Sequence, residues 1–280
     1  MARTKIIPKE GLLSDLEYTS VIVSYSDGID STGALYWALN HFPREKIWLL
    51  YCDTGCEYPN NPGIFYKVAA FLKVKPVYLR DERGFLGLLM NERLKFPDMR
   101  NRWCTAYLKT AVTDKWIRNN RQVLGKRCLF VSGERRDEST GRAKLPMLEY
   151  HSTTLKTTRV ADFICHWHRP CLDYEKGKMF EWGRQLNIDP HPCYEYLGRC
   201  SCMFCMLMPD RHAAENMKRY PDIAAKWVRA ELKLNHTWKN GKSLQSIFNG
   251  CMDIDDIDED ILLDYRAQTV FEVLRANDGG

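Results

Sequence analysis

The stretch Ser20-Val21-Ile22-Val23-Ser24-Tyr25-Ser26-Asp27-Gly28-Ile29-Asp30-Ser31-Thr32 decides how this chain is read. A β-branched run from Ser20 to Ser24 gives way to small and polar residues, and a helical pattern follows over residues 31–40. That is strand, loop and helix. Small residues at such a junction let backbone N–H groups and hydroxyls surround a phosphate at the helix N-terminus. No Gly-Lys-Ser/Thr triplet is present, so this is not a Walker A loop. The plainer alternative is a polar turn in which Ser and Asp cap the next helix.

The pattern repeats outward from there. Lys46 to Cys52 (KIWLLYC) reads as a second strand ending in the turn Asp53-Thr54-Gly55, and residues 63–73 have helical spacing. Pro76 to Leu79 reads as a third strand, residues 103–119 as a helix, and Arg127 to Ser132 as a fourth strand before the polar loop that Gly133 opens. Strands alternating with helices predict an α/β fold, a doubly wound parallel sheet covered on both faces. Ligands of such sheets bind beyond the carboxyl ends of the strands, so the loops starting at Ser24, Asp53 and Gly133 are expected on one edge. After residue 150 the sheet pattern fades into a stretch rich in Cys, His and Trp up to Met208, and helices follow over residues 210–234. The expected organisation is a nucleotide-binding α/β domain over 1–150, a Cys-rich region over 151–210 packed on it, and a helical region over 211–280. The acidic run at 253–260 reads as the solvated start of a helix over 261–275, where the helix dipole favours carboxylates.

Composition narrows the class. The chain has 280 residues, 45% apolar and 28% charged, enough for a substantial core. It contains no run of about 18 uncharged apolar residues, and no apolar segment follows the basic N-terminus, so a cytoplasmic protein without a membrane partner is expected. The 11 cysteines are too sparse for a disulfide scaffold, and reduced thiols or metal ligands are the better reading. The formal charge of +5 hides a split: residues 251–280 carry nine acids against two bases, a net −7 that leaves +12 on the rest. A body that basic suits a polyanion or a nucleotide.

The first loop resembles the SGGxDS pyrophosphate loop of the adenine nucleotide α-hydrolase superfamily, with Asp27 standing where that family has its first glycine. A carboxylate beside a pyrophosphate calls for a compensating metal or arginine, so Asp27 is a possible Mg²⁺ holder. Cys52-Asp53-Thr54-Gly55-Cys56-Glu57-Tyr58-Pro59 resembles the DTGxExP element of the phosphoadenylylsulfate reductase branch, and Gly133-Glu134-Arg135-Arg136-Asp137-Glu138-Ser139 resembles its GxRRxES loop. Arg102-Trp103-Cys104-Thr105 with Leu108-Lys109, Arg169-Pro170, Trp182, His191-Pro192-Cys193-Tyr194 and Gly198-Arg199-Cys200-Ser201-Cys202-Met203-Phe204-Cys205 resemble further elements of the same branch, so the likeness covers residues 20–210. The motif set also resembles that of the ATP pyrophosphatase of bacterial DNA phosphorothioation systems.

The resemblance implies a PP-loop ATP pyrophosphatase that adenylates a substrate for sulfur transfer. Ser24, Ser26, Asp27, Gly28, Asp30, Ser31 and Thr32 would hold the pyrophosphate of ATP with Mg²⁺. Asp53, Thr54, Gly55 and Glu57 would line the nucleotide pocket, while Gly133, Arg135 and Arg136 would reach the phosphates. Asp30, Ser31, Arg135 and Arg136 are the residues expected to carry catalysis. Cys104, Cys202 and Cys205 would hold a 4Fe–4S iron-sulfur cluster, with Cys193 or Cys200 as a fourth ligand or with one iron open; the same thiolates suit a structural zinc. Nucleic acid, DNA or tRNA, is the implied sulfur acceptor and a cysteine desulfurase a natural donor.

Two other readings stand beside this one. A reductase of adenylylsulfate or phosphoadenylylsulfate performs its chemistry with a cysteine in an ECGLH motif. Here the only cysteine after Cys205 is Cys251, in Gly250-Cys251-Met252. A nucleotide-sensing or scaffold protein with a degenerate loop would explain Asp27, but it sits poorly with intact Asp30, Ser31, Arg135 and Arg136. Cys128 and Cys171 read as buried inert thiols, His166 and His168 as packed residues rather than ligands, and Trp103 or Trp167 as possible platforms for a base.

Overall fold

The computed structural model describes residues 17–154 and 163–247; the basic N-terminus, Cys251, the acidic run at 253–260 and the helix expected over 261–275 lie outside the described residues. Six strands form one sheet: β1 (Ser20–Tyr25), β2 (Ile47–Asp53), β3 (Lys75–Arg80), β4 (Arg127–Val131), β5 (Leu148–Tyr150) and β6 (Ile164–His168), in the order β3-β2-β1-β4-β6-β5. β1 pairs in parallel with β2 and β4, and β4 with β6. The edge strand β5 runs antiparallel to β6.

Among the described residues the helices of eight or more residues are α1 (Ile29–His41), α2 (Asn61–Leu72), α3 (Val112–Asn119), α4 (Lys176–Gln185), α5 (Asp210–Arg219) and α6 (Pro221–Leu234). The α/β class expected from the sequence is the one observed. Alternate residues of the strands feed two cores. Val21, Val23, Leu49, Tyr51, Leu129 and Val131 join residues of α1, α2 and α4 on one face. Ile22, Leu50, Cys128 and Phe130 join Ile117 and Leu124 on the other. Burial on both faces is why these strands read as continuous apolar runs, and each fully buried Val or Leu contributes about 1.5–3 kcal/mol.

Two stretches differ from the sequence expectation. Cys165-His166-Trp167-His168, beyond the point where the sheet pattern fades, is the body of β6 and lies fully within the sheet. It escapes a strand pattern because buried histidines stand where Val or Ile usually would. His166 Nδ1 meets the Tyr18 hydroxyl at 2.8 Å, and His168 Nδ1 meets the Met147 carbonyl at 3.2 Å. The helix expected over 103–119 is in three pieces, Trp103–Thr105, a π-helical turn Ala106–Ala111 and then α3. Pro221 likewise divides the last helical stretch into α5 and α6, since it starts a helix easily but lacks the N–H that would continue one.

The described chain forms two compact units that interleave in sequence rather than following one another. One contains residues 17–52, 64–79, 112–154 and 163–194; the other contains 53–63, 80–111 and 195–247. The second unit has its own aromatic core, in which Phe85 stacks on Trp103 at 4.9 Å and on Trp227 at 4.7 Å between ring centroids. Trp103 is 2% exposed there, so it packs the core and offers no face to a base. No helix among the described residues is long and apolar enough to cross a membrane.

Candidate functional site

In the first unit the strand order reverses beside β1, with β2 on one side and β4 on the other. Crevices in open α/β sheets form at such points, and the two loops that border this one are those after β1 and after β4. The β1 loop folds tightly around its own hydroxyls. Ser31 Oγ donates to the Gly28 carbonyl at 2.7 Å and accepts the Ser26 N–H at 3.1 Å. Thr32 N–H donates to the same carbonyl at 3.0 Å as the first helical bond of α1. Ser24 is half-buried, Ser26 exposed, and Asp27, Gly28, Ser31 and Thr32 buried.

Asp27 explains its own departure from the glycine pattern. Its φ is 58°, in the left-handed region, which Asp enters more readily than most residues. The turn demands that conformation and the sequence meets it without glycine, placing a carboxylate, 4% exposed, at the mouth of α1.

The β4 loop closes onto the same helix start. Arg135, itself buried, donates from Nε to Asp30 Oδ1 at 2.7 Å and pairs through Nη1 with Asp137. Its backbone N–H is accepted by Glu138 at 3.0 Å. Burial pushes the Asp30 carboxyl above its usual range, and the Arg135 guanidinium pulls it back. Gly133 is obligatory for this approach: a side chain there would collide with the Asp30 carbonyl and come within 2.9 Å of the Ser31 amide nitrogen. Arg136 is a tether, donating from Nε to Asp173 at 2.6 Å and from Nη1 to the Ala143 and Leu145 carbonyls.

A buried polar chain stands behind this loop. Arg169 donates to Glu149 at 2.6 Å and to the Pro146 carbonyl at 2.9 Å, and its guanidinium lies 4.0 Å from the centre of the Trp167 ring. Trp167 Nε1 donates to Ser132 Oγ, which in turn donates to Glu134, so β6 is coupled to the residue after Gly133. Arg169, expected only as part of a family pattern, is a structural brace for the arginine loop. Also in this unit, the Tyr194 hydroxyl accepts the Ile29 N–H at 3.3 Å, and Cys193, which is buried, donates its N–H to His191 Nδ1 at 3.1 Å. Cys128 and Cys171 are buried thiols, as expected; burial pushes Cys128 up to about 12.

The second unit carries the other cysteines. Asp53 Oδ1 accepts the Gly55 N–H at 2.8 Å, and Gly55 has a φ of +80°, so Asp and Gly together form the turn. Glu57 turns back on the same segment, accepting Thr54 N–H at 3.0 Å, Thr54 Oγ1 at 2.7 Å and Cys56 N–H at 3.2 Å. It also meets Cys202 Sγ at 3.7 Å and Lys109 Nζ at 3.8 Å. Burial pushes the Cys202 thiol up; Lys109 opposes this, while Glu57, Cys205 and Cys104 add to it. Cys104 is raised by burial and by Cys205. The three expected ligands therefore lie within electrostatic reach of one another. Half-buried soft thiols beside a compensating ammonium are a donor set that fits an iron-sulfur cluster or zinc.

Sequence reasoning passed over Cys56. It is buried, and after desolvation the groups that raise its thiol are Cys202, Glu57 and Cys104. The signal was its place inside the DTGxE element, between two residues already singled out. Lys109 was likewise quoted within a pattern and given no role.

The sequence profile of the phosphoadenosine phosphosulfate reductase domain matches residues 20–200, and the chain belongs to that family. It is also 28% identical over 174 residues to an uncharacterized 37.8 kDa protein of Escherichia phage 186, covering 60% of this chain and 49% of that one. The chain thus spans about half the length of that curated relative. Among solved structures it is similar to a phosphoadenylyl-sulfate reductase of Candida auris in a phosphate complex, at 11% identity and a TM-score of 0.47, covering 68% of this chain and 82% of that one. A U34-tRNA thiolase of Methanococcus maripaludis with its 4Fe–4S cluster is similar at 12% identity and a TM-score of 0.43, covering 77% of this chain and 68% of that one.

Proposed function

We propose that this protein is an ATP pyrophosphatase serving sulfur transfer, with nucleic acid as the sulfur acceptor. The observation that carries the reading is the Arg135–Asp30 pair, which joins the two loops at the reversal of strand order. A buried guanidinium held beside the N-terminus of α1 places fixed positive charge next to backbone donors that suit a phosphate. Family membership supports a nucleotide as substrate.

In the proposed reaction an oxygen of the acceptor attacks the α-phosphorus of ATP, the bond to the bridging oxygen breaks, and pyrophosphate leaves with that electron pair. A sulfide-level sulfur nucleophile then attacks the activated acceptor atom, and AMP leaves with the oxygen it was joined to and with that bond's electron pair. Ser26, Gly28 and Ser31 would cradle the departing pyrophosphate, Arg135 would offset the charge that develops on it, and Asp27 would help hold Mg²⁺. Cys104, Cys202 and Cys205 would hold the metal centre, which as an iron-sulfur cluster supplies redox or sulfur-binding chemistry and as zinc supplies a structural tie. The +12 charge outside residues 251–280 suits a polyanionic acceptor.

The test is pyrophosphate release from ATP with Mg²⁺ by the wild type and by Asp30→Ala. Loss of release in the variant supports the loop assignment, and full release by it defeats the assignment. Binding of DNA or tRNA should weaken steeply between about 50 and 200 mM salt through counterion release, and a flat response removes the nucleic-acid part.

A further inference from the structure

The turn that carries Asp53 and Glu57 sets a further cysteine, Cys56, against the segment of Cys202 and Cys205. Met203, next to Cys202, donates its N–H to the Cys56 carbonyl at 2.7 Å, while Cys202 Sγ reaches Glu57, next to Cys56, at 3.7 Å. Two successive residues of the 53–58 turn thus face two successive residues of the Cys202–Cys205 segment. Asn216, fully buried, fastens the pair by donating to the Tyr58 hydroxyl at 3.1 Å and to the Met203 carbonyl at 2.6 Å. Cys205 N–H closes a turn on the Cys202 carbonyl at 3.1 Å, and Lys109, five residues after Cys104, reaches Glu57 at 3.8 Å.

We propose that Cys56 is the fourth thiolate ligand of the metal centre held by Cys104, Cys202 and Cys205. The inference rests on the metal half of the proposed function and names Cys56 in place of Cys193 as the fourth ligand. Cys56 is buried, and its carbonyl accepts the Met203 N–H, which sets it against the segment that carries Cys202 and Cys205. On metal binding each thiol would give its proton to solvent as a metal–sulfur bond forms, and Lys109, which reaches Glu57 at 3.8 Å, would help offset the thiolate charge. Glu57, caged by its own turn, then orients the cysteine segment from behind, as outer-shell carboxylates do. Four protein thiolates make a closed site, so the metal centre would hold the three cysteine-bearing segments together and leave no position for a sulfur substrate.

The test uses full-length protein purified without oxygen. Metal and labile sulfide content, the visible spectrum and ⁵⁷Fe Mössbauer spectra are compared for the wild type, Cys56→Ser and Cys193→Ser, with circular dichroism as the check on folding. The expected result is thiolate ligation of every iron in the wild type and in Cys193→Ser, and loss of most of the metal or a changed iron environment in Cys56→Ser. If the wild type carries zinc instead, X-ray absorption should find four sulfurs at about 2.3 Å, against three in Cys56→Ser. A loaded Cys56→Ser with the wild-type spectrum, or a wild-type centre with one iron lacking a thiolate, overturns the proposal while leaving the metal reading intact. A metal-free wild type overturns both. Where Cys56→Ser does not fold, Cys193→Ser and Cys200→Ser decide: full thiolate ligation in both supports Cys56, and loss of one thiolate in either overturns it.

Discussion

Arg135 Nε lies 2.7 Å from Asp30 Oδ1, so a guanidinium from the loop after β4 holds a carboxylate in the first turn of α1. The two side chains are 6% and 29% exposed, so the charges are largely withdrawn from water. Breaking such a pair leaves an uncompensated charge and costs about 3–5 kcal/mol. Arg135→Ala is therefore expected to lower the urea midpoint sharply and to stop pyrophosphate release. Arg135→Lys, which keeps the charge but not the planar fork, should recover stability in part and activity little. Equal stability of Arg135→Ala and wild type would contradict the pair's role.

Asp27 separates conformational strain from function. At a φ of 58° glycine is easier than aspartate by roughly 1–2 kcal/mol, so Asp27→Gly should stabilise the fold by about that amount. If the carboxylate helps hold Mg²⁺, the same variant needs more Mg²⁺ for half-maximal pyrophosphate release. A stabilised variant with an unchanged Mg²⁺ requirement would leave Asp27 as a turn residue only.

Arg169 and Glu149 lend themselves to a double-mutant cycle. Each is at most 2% exposed, and they meet at 2.6 Å. Glu149→Leu alone should cost about 3–5 kcal/mol by stranding Arg169, whereas Arg169→Met with Glu149→Leu should recover most of it by packing. Because Arg169 braces Glu134 through Trp167 and Ser132, the double variant should still lose ATP turnover more than stability. Additive single effects would rule out the coupling.

Stability should also depend on pH in one direction. Burial pushes His168 down to about 4 from an ordinary value near 6.5, and His151 is lowered by the same cause. Between those values the unfolded chain binds a proton that the fold refuses, so this contribution is complete above about pH 6.5 and is lost as pH falls towards 4. Urea unfolding across that window should show stability rising with pH, by about 1.4 kcal/mol per unit for each such histidine. His168→Gln should flatten the curve, and an unchanged slope would assign the effect elsewhere.

The sheet was legible because β1, β2 and β4 are buried on both faces and their apolar runs are hard to mistake. The tight loop between β1 and α1 was legible because hydroxyls and Gly28 fall between a strand and a helix. β6 was not, since its inward residues are histidines satisfied by Tyr18 and Met147, partners far away in sequence. The break at Ala106–Ala111 was missed because no residue there disfavours helix locally. Nor could spacing reveal that Arg136 is tied to Asp173, or that Cys56 faces the Cys202 segment; both relationships are made only by the tertiary fold.

Whether ATP is cut between its α and β phosphates is read from ³¹P NMR of the products formed from ATP and Mg²⁺. AMP, free or joined to acceptor, and pyrophosphate in equal amounts, both absent with Asp30→Ala, is the predicted result. ADP with orthophosphate, or no change in ATP while phosphoadenylylsulfate is reduced to sulfite, would contradict it.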